Sequence, residues 1–231
     1  PANFFPAVIE ASLSRVPLII LSADRPGSLV GSGANQTINQ QNLYGSHVRY
    51  FEDTGLPTEQ LDDLEKILQE TINHSNGSAL QMPPGPVHLN FPFEMPLLPN
   101  NVQTIEIPQF SIASSMSIES NQSNIPVLQK AAKPLVVAGL MEEDYHQKDI
   151  ICFAEKIQAP ILADPLSQIR YGYDSKLILA NYGHFLHSVD IKPDLIIRFG
   201  RKPTSTVLCQ LLDRWNMHTY LIDYWQQYND D

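Results

Sequence analysis

The sequence predicts an α/β protein built on parallel sheet, in two segments joined by a connector. Three observations predict it. An apolar run, Val16-Pro17-Leu18-Ile19-Ile20-Leu21, ends abruptly in the polar Ser22-Ala23-Asp24-Arg25-Pro26. Gly85-Pro86-Val87-His88-Leu89-Asn90-Phe91-Pro92 reads as a short strand fenced by prolines. From Pro134 onward, short apolar runs alternate with helical patterns. Continuous apolar runs of this length suit strands buried on both faces. Strands alternating with helices imply βαβ units, and the right-handed crossover rule then puts helices on both faces.

The first segment runs from Pro1 to about Pro99. It reads as a helix over Ala7–Ser14, a strand over Pro17–Ser22, a loop, and a short strand near Val48–Phe51. A helix follows from Thr58 to about Asn73, because Leu61, Leu64, Ile67, Leu68 and Ile72 recur at helical spacing. Asn76-Gly77 is a turn signal, and Gly85–Pro92 closes the segment as a strand. Residues 99–124 hold many Ser, Asn and Gln with almost no charge, as a linker does, with room for a strand near Val102–Ile107. The second segment reads as strand Pro134–Ala138, helix Glu143–Gln158, strand Pro160–Ala163 and a polar loop with a helix near Gly183–Val189. Strand Asp194–Phe199, helix Thr204–Arg214 and strand Thr219–Ile222 complete it.

Composition narrows the function. The chain has 231 residues, 43% of them hydrophobic, enough for one or two domains with a substantial core. A formal charge of −10 argues against nucleic acid, whose phosphates need clustered Lys and Arg. Small anionic ligands need only a few local cations. No stretch approaches the ~20 apolar residues of a membrane span, and no basic start with an apolar core marks a signal peptide. A cytoplasmic protein is expected. Cys152 and Cys209 lie far apart in apolar helical contexts, so two buried reduced thiols are expected rather than a disulfide or metal site. The chain opens on Pro1 without an initiator Met, on residues that read as the entry to a helix, the expected pattern for a piece of a longer protein.

Candidate site residues lie after strands. In open α/β sheets, ligands bind outside the carboxyl ends of the strands. Arg25 stands there, and its planar fork suits a carboxylate or phosphate; a surface ion pair with Asp24 or Glu52 is the plain structural alternative. Asn35 and Gln36, in Gly33-Ala34-Asn35-Gln36-Thr37-Ile38-Asn39-Gln40, either contact the same ligand or cap a helix beginning near Thr37. A second basic turn, Arg198-Phe199-Gly200-Arg201-Lys202-Pro203-Thr204-Ser205-Thr206, opens a helix, where free N–H groups attract anions; a solvated turn is its alternative. Gly139-Leu140-Met141-Glu142 has one glycine where a dinucleotide fingerprint needs three, so a tight strand-to-helix turn is expected there. The seven histidines are dispersed without metal-ligand spacing, and His47 and His88 read as structural.

Asn3-Phe4-Phe5-Pro6-Ala7-Val8-Ile9-Glu10-Ala11, Ser22-Ala23-Asp24-Arg25-Pro26 and Gly33-Ala34-Asn35-Gln36-Thr37-Ile38 resemble the 2-succinyl-5-enolpyruvyl-6-hydroxy-3-cyclohexene-1-carboxylate synthase family of menaquinone biosynthesis. Gly85–Pro92 is similar to the strand that closes the pyrimidine-binding domain across thiamine-diphosphate enzymes. The resemblance implies the C-terminal part of a pyrimidine-binding domain over 1–98, a linker over 99–124 and an incomplete, Rossmann-like central domain over 125–231.

The implied activity is that of a transferase. It decarboxylates 2-oxoglutarate on thiamine diphosphate, with Mg²⁺ or Mn²⁺, and adds the succinyl carbanion to isochorismate. Homodimers or homotetramers are implied. The activating glutamate and the metal ligands belong to parts of the family outside the matched segments, so this stretch alone is expected to be inactive and to hold no catalytic residue. By motif, Arg25, Asn35 and Gln36 face substrate. The family's basic residue in the helix-opening turn falls on Thr206 and Val207, with Lys202 or Arg201 as substitutes a few residues earlier. The alternatives are another thiamine-diphosphate enzyme of the acetolactate synthase or decarboxylase type, or a non-catalytic binding module of the same fold.

Overall fold

The computed structural model describes residues 1–57, 61–79, 82–98, 130–142, 146–188 and 192–225. The chain divides into two compact units, Pro1–Glu119 and Ser120–Asp231. Every strand pairing described is parallel, and both units are α/β. The expected connector over 99–124, with its strand near Val102–Ile107, lies outside the described residues. No described helix is long and apolar enough to cross a membrane.

In the first unit, helix α1 (Phe5–Leu13) follows a 3-10 turn and carries Pro6 in its first turn, where the missing N–H costs nothing. Strands β1 (Leu18–Asp24), β2 (Tyr50–Asp53) and β3 (Pro86–Pro92) form a sheet in the order β1-β3-β2, and helix α2 (Leu61–Ser75) precedes β3. Paired residues of a parallel sheet share a face, so the register defines the rows. Ile20, His88 and Phe51 form one row, and Ser22, Asn90 and Asp53 form the next. Val8 of α1, Ile20 and Tyr44 are buried over that face. His74 of α2 stacks on Tyr50 at 4.8 Å, which puts α2 on the opposite face.

β1 departs from the expected fully buried strand. Ile20 and Ser22 are buried, but Ile19 and Leu21 are 46% and 61% exposed. β1 is the sheet edge, and α2 lies over its neighbours. No helix begins near Thr37; residues 37–40 are without regular structure and lead into turns.

The second unit contains β4 (Pro134–Ala138), α3 (Gln147–Lys156), β5 (Ile161–Ala163), β6 (Ile178–Leu179), β7 (Leu195–Phe199), α4 (Thr206–Trp215) and β8 (Thr219–Ile222). The sheet order is β6-β5-β4-β7-β8. Ile150, Ile151 and Ala154 of α3 pack with Val136, Ile161 and Ile197. Leu208 and Leu211 of α4 pack with Leu135, Leu162 and Ile196, so the helices cover opposite faces. The two-residue β6 escapes the sequence reading, and the helix expected near Gly183 is a pair of 3-10 turns, Tyr182–His184 and Leu186–Ser188. Neither cysteine is in a disulfide, but neither is buried: Cys152 is exposed and Cys209 half-buried. On α3 the inward arc is taken by Ile150, Ile151 and Ala154, which turns Cys152 outward.

His88 is the buried polar centre of the first unit, fully inaccessible and edge-on to Tyr44 at 4.9 Å. Its Nε2 lies 2.7 Å from Ser22 Oγ, whose hydroxyl donates to Asn90 Oδ1 at 2.8 Å. An amide oxygen only accepts, so Ser22 Oγ is left to accept from His88 Nε2–H. Burial pushes the His88 imidazole down to about 4, with Asp53 offsetting only part of it.

Two outcomes follow from these cores. Between about pH 6.5 and 4 the unfolded chain binds a proton at His88 that the folded chain refuses, so stability is complete above pH 6.5 and falls as the pH drops through that window. Urea unfolding at pH 7 and pH 4.5 should show the native chain losing about 2 kcal/mol more than His88→Gln; equal losses would show that His88 titrates normally. In the second unit, a Cβ on Gly139 would overlap Arg201 O, and one on Gly200, at φ +75°, would overlap Leu140 O. Ala at either position should cost about 2–3 kcal/mol in denaturant titrations, whereas Ala at Gly183, which has open space around it, should be near neutral.

Candidate functional site

The first unit opens a cleft of about 490 Å³ at the carboxyl ends of its strands. Asp24 and Arg25 leave β1 into it, Asp53 and Gly55 leave β2, and Asn39 and Gln41 come from the long loop between them. One side chain spans the two strand ends. Asn90 Nδ2 donates to Asp24 Oδ2 at 2.9 Å and to Asp53 Oδ2 at 3.1 Å. The other oxygens cap the exit turns: Asp24 Oδ1 accepts Arg25 N–H at 2.8 Å, and Asp53 Oδ1 accepts Gly55 N–H at 3.1 Å. The amide cannot be turned over, because its oxygen would then face both carboxylates and lose Ser22.

Arg25 is exposed, and among the described residues its guanidinium meets neither Asp24 nor Glu52 as an ion pair. The ion-pair alternative is therefore not what holds it. Asn35 and Gln36 are exposed but do not line this cleft; Gln36 sits at φ 57°, in a left-handed turn. Asn39 and Gln41, further along the same loop, do line it. The buried Gln40 between them donates through Nε2 to Ala23 O at 3.0 Å and moors the loop to β1. Asn39 and Gln41 carry no local pattern that would single them out, since Asn39-Gln40-Gln41 are uniformly polar and the burial of Gln40 is set by the fold.

The second unit presents a different picture at its strand ends. Its strand order reverses between β4 and β7, where open sheets place ligands. That crevice is filled by backbone. Gly139 N–H donates to Phe199 O at 2.9 Å and Arg201 N–H to Leu140 O at 2.8 Å, and neither glycine has room for a Cβ. The tight turn expected at Gly139 is observed, and the space does not fit a diphosphate. Arg201 is held by Glu142, Nε to Oε1 at 3.2 Å. The opening of α4 is served internally: Ser205 Oγ accepts Leu208 N–H, and the fully buried Asp164 accepts Thr204 N–H and Oγ1–H at 2.7 and 2.8 Å. Lys202 is exposed and lines a separate cleft with Arg198, Asp213 and His218. Thr206 and Val207 are exposed on the first turn of α4. No cluster of three or more His, Cys, Asp or Glu side chains among the described residues is arranged to hold a metal ion.

No protein-family model matches the chain. Individual curated relatives do. The chain is 39% identical over 245 residues to the 2-succinyl-5-enolpyruvyl-6-hydroxy-3-cyclohexene-1-carboxylate synthase of Haloquadratum walsbyi, covering 96% of this chain and 39% of the relative. It is 39% identical over 220 residues to the enzyme of that name from Bacillus velezensis, covering 90% of this chain and 38% of that one. It is 33% identical over 242 residues to the one from Dechloromonas aromatica, covering the whole chain and 44% of that relative. The chain thus spans about two fifths of the length of the relatives it matches. Matched at this level from an archaeon to two bacteria, and folded into the parallel α/β units that its motifs predict, it belongs to the 2-succinyl-5-enolpyruvyl-6-hydroxy-3-cyclohexene-1-carboxylate synthase family.

Proposed function

We propose that this chain supplies a substrate-binding part of a thiamine-diphosphate-dependent transferase of menaquinone biosynthesis, one that decarboxylates 2-oxoglutarate and joins the product to isochorismate. The observation that carries the reading is the exposed guanidinium of Arg25, without an ion-pair partner among the described residues, on a cleft at the strand ends and within the Asp24-Arg25-Pro26 motif that carries the family resemblance. Both substrates are carboxylates, and a guanidinium fork binds two carboxylate oxygens at once. Residues 1–98 are read as the C-terminal part of the pyrimidine-binding domain and 125–231 as part of the central domain. Asn39 and Gln41 line the Arg25 cleft; Asn35 and Gln36, on the exposed loop before them, and Lys202 in the second unit are the further candidates for substrate contact.

The division of labour follows from these residues. Thiamine diphosphate, with Mg²⁺ or Mn²⁺, supplies the carbanion chemistry when bound. Arg25 orients a substrate carboxylate, and the carboxamides offer both donors and acceptors to hydroxyls. The crevice at the switch point of the second unit is closed, and the room in that unit lies in the separate cleft that Lys202 lines. A homodimer or homotetramer working in the cytoplasm accords with the family. In the polypeptide that carries the complete activity, Arg25→Ala should lower kcat/KM for one of the two substrates by about 2–4 kcal/mol, the loss of a charge-assisted bidentate contact. Unchanged kcat/KM for both would remove Arg25 from the site.

A further inference from the structure

We propose that Asn90 is a positioning residue of the Arg25 cleft, setting the two strand-exit turns that form its walls. The inference rests on the reading that Arg25 receives a carboxylate. One wall is the turn leaving β1, whose direction is fixed where Asp24 Oδ1 takes Arg25 N–H. The other is the turn leaving β2, fixed where Asp53 Oδ1 takes Gly55 N–H, with Gly55 at φ 71°. Each carboxylate has one oxygen on its own turn and the other on the same Asn90 nitrogen. The amide is the part common to both walls. Thr54 adds a second tie on the β2 side, donating its N–H to Asn90 O at 2.9 Å.

The tie is directional. Behind Asn90 stands Ser22, and behind Ser22 the buried His88, so the NH₂ is pinned outward toward the carboxylates. Residues that only filled space there would not need this orientation. Two carboxylates drawn onto one NH₂ group repel each other once it is removed, and the turns they hold are then free to part. Arg25 touches the ligand; Asn90 acts through Asp24 and stays out of contact with it.

The test uses the ¹⁵N-labelled chain with succinate as probe, followed by NMR at the Arg25 Nε–H and the Gly55 amide. In the native chain both signals should move along one binding curve. Asn90→Asp sets three carboxylates together and should weaken succinate roughly tenfold. The exchange Asp24→Asn with Asn90→Asp puts donor and acceptor back across the same gap and should recover most of that loss. A residue that only packs the core would show no such rescue. Asn90→Ala, which removes the tie without adding charge, serves where Asn90→Asp does not fold and should also weaken binding. Native affinity in both single variants, or an exchange no better than Asn90→Asp, overturns the positioning role. Arg25→Ala reports separately on the underlying reading: succinate shifts at Gly55 that survive it, or none in the native chain, overturn the carboxylate site and the proposal with it.

Discussion

The first unit depends on one carboxamide held between two carboxylates at the ends of its parallel strands. Parallel strands end together, and without a ligand or a tie their exit turns would be set only by loop preferences. Placing β3 between β1 and β2 puts Asn90 in the row of Ser22 and Asp53, one step below Asp24. A single planar NH₂ then reaches both acidic side chains. The orientation of that NH₂ is decided from inside the core, by Ser22 and an imidazole that burial keeps neutral. Core and cleft form one hydrogen-bonded chain, so an electrostatic condition at His88 is a geometric condition at Arg25.

Both units are parallel sheets, but their strand ends differ. In the first, the strand ends diverge into turns capped by aspartates, leaving a cleft between them. In the second, two glycines let the turns after β4 and β7 run into backbone contact, and the crevice is lost. Thr204, just before the cap of α4, gives its N–H and its hydroxyl to Asp164, which follows β5. A Rossmann-like order of strands is therefore no guide to a ligand in that unit. The backbone at the switch point decides the matter, and here it decides for closure.

Much of the fold was legible because strong local signals agreed with it. The apolar runs at Leu18, Val87, Leu135 and Ile196 are strands because burial on at least one face demands them, and the helical spacing of Leu64, Ile67 and Leu68 has no other use. β6 was not legible, since two residues carry no period. The edge position of β1 was hidden for another reason: Ile19 and Leu21 look like core until the strand order is known. Arg25 stands out by its place after a strand, and it lines the cleft. The tie at Asn90 does not stand out, because Ser22, Asp53 and Asn90 meet only through register, which is a long-range property. Asn35 and Gln36 stood out by motif, yet the residues that share the cleft with Arg25 lie four and five places further on, where a buried Gln40 fixes the loop.

In an acidic chain, two bare aspartates beside the candidate arginine would disfavour a carboxylate ligand. The hydrogen bonds remove most of the difficulty. All four aspartate oxygens accept an N–H: two from Asn90, one from Arg25 and one from Gly55. Their charge is spread into oriented amides, which lowers the repulsion felt at the cleft. Arg25 itself gives only its backbone N–H to Asp24 and keeps its guanidinium outside that arrangement. An arginine paired with Asp24 through its side chain would have been neutralised and turned away. Using the backbone for the aspartate leaves the guanidinium without an ion-pair partner among the described residues, and that choice is made where Asn90 holds the carboxylate.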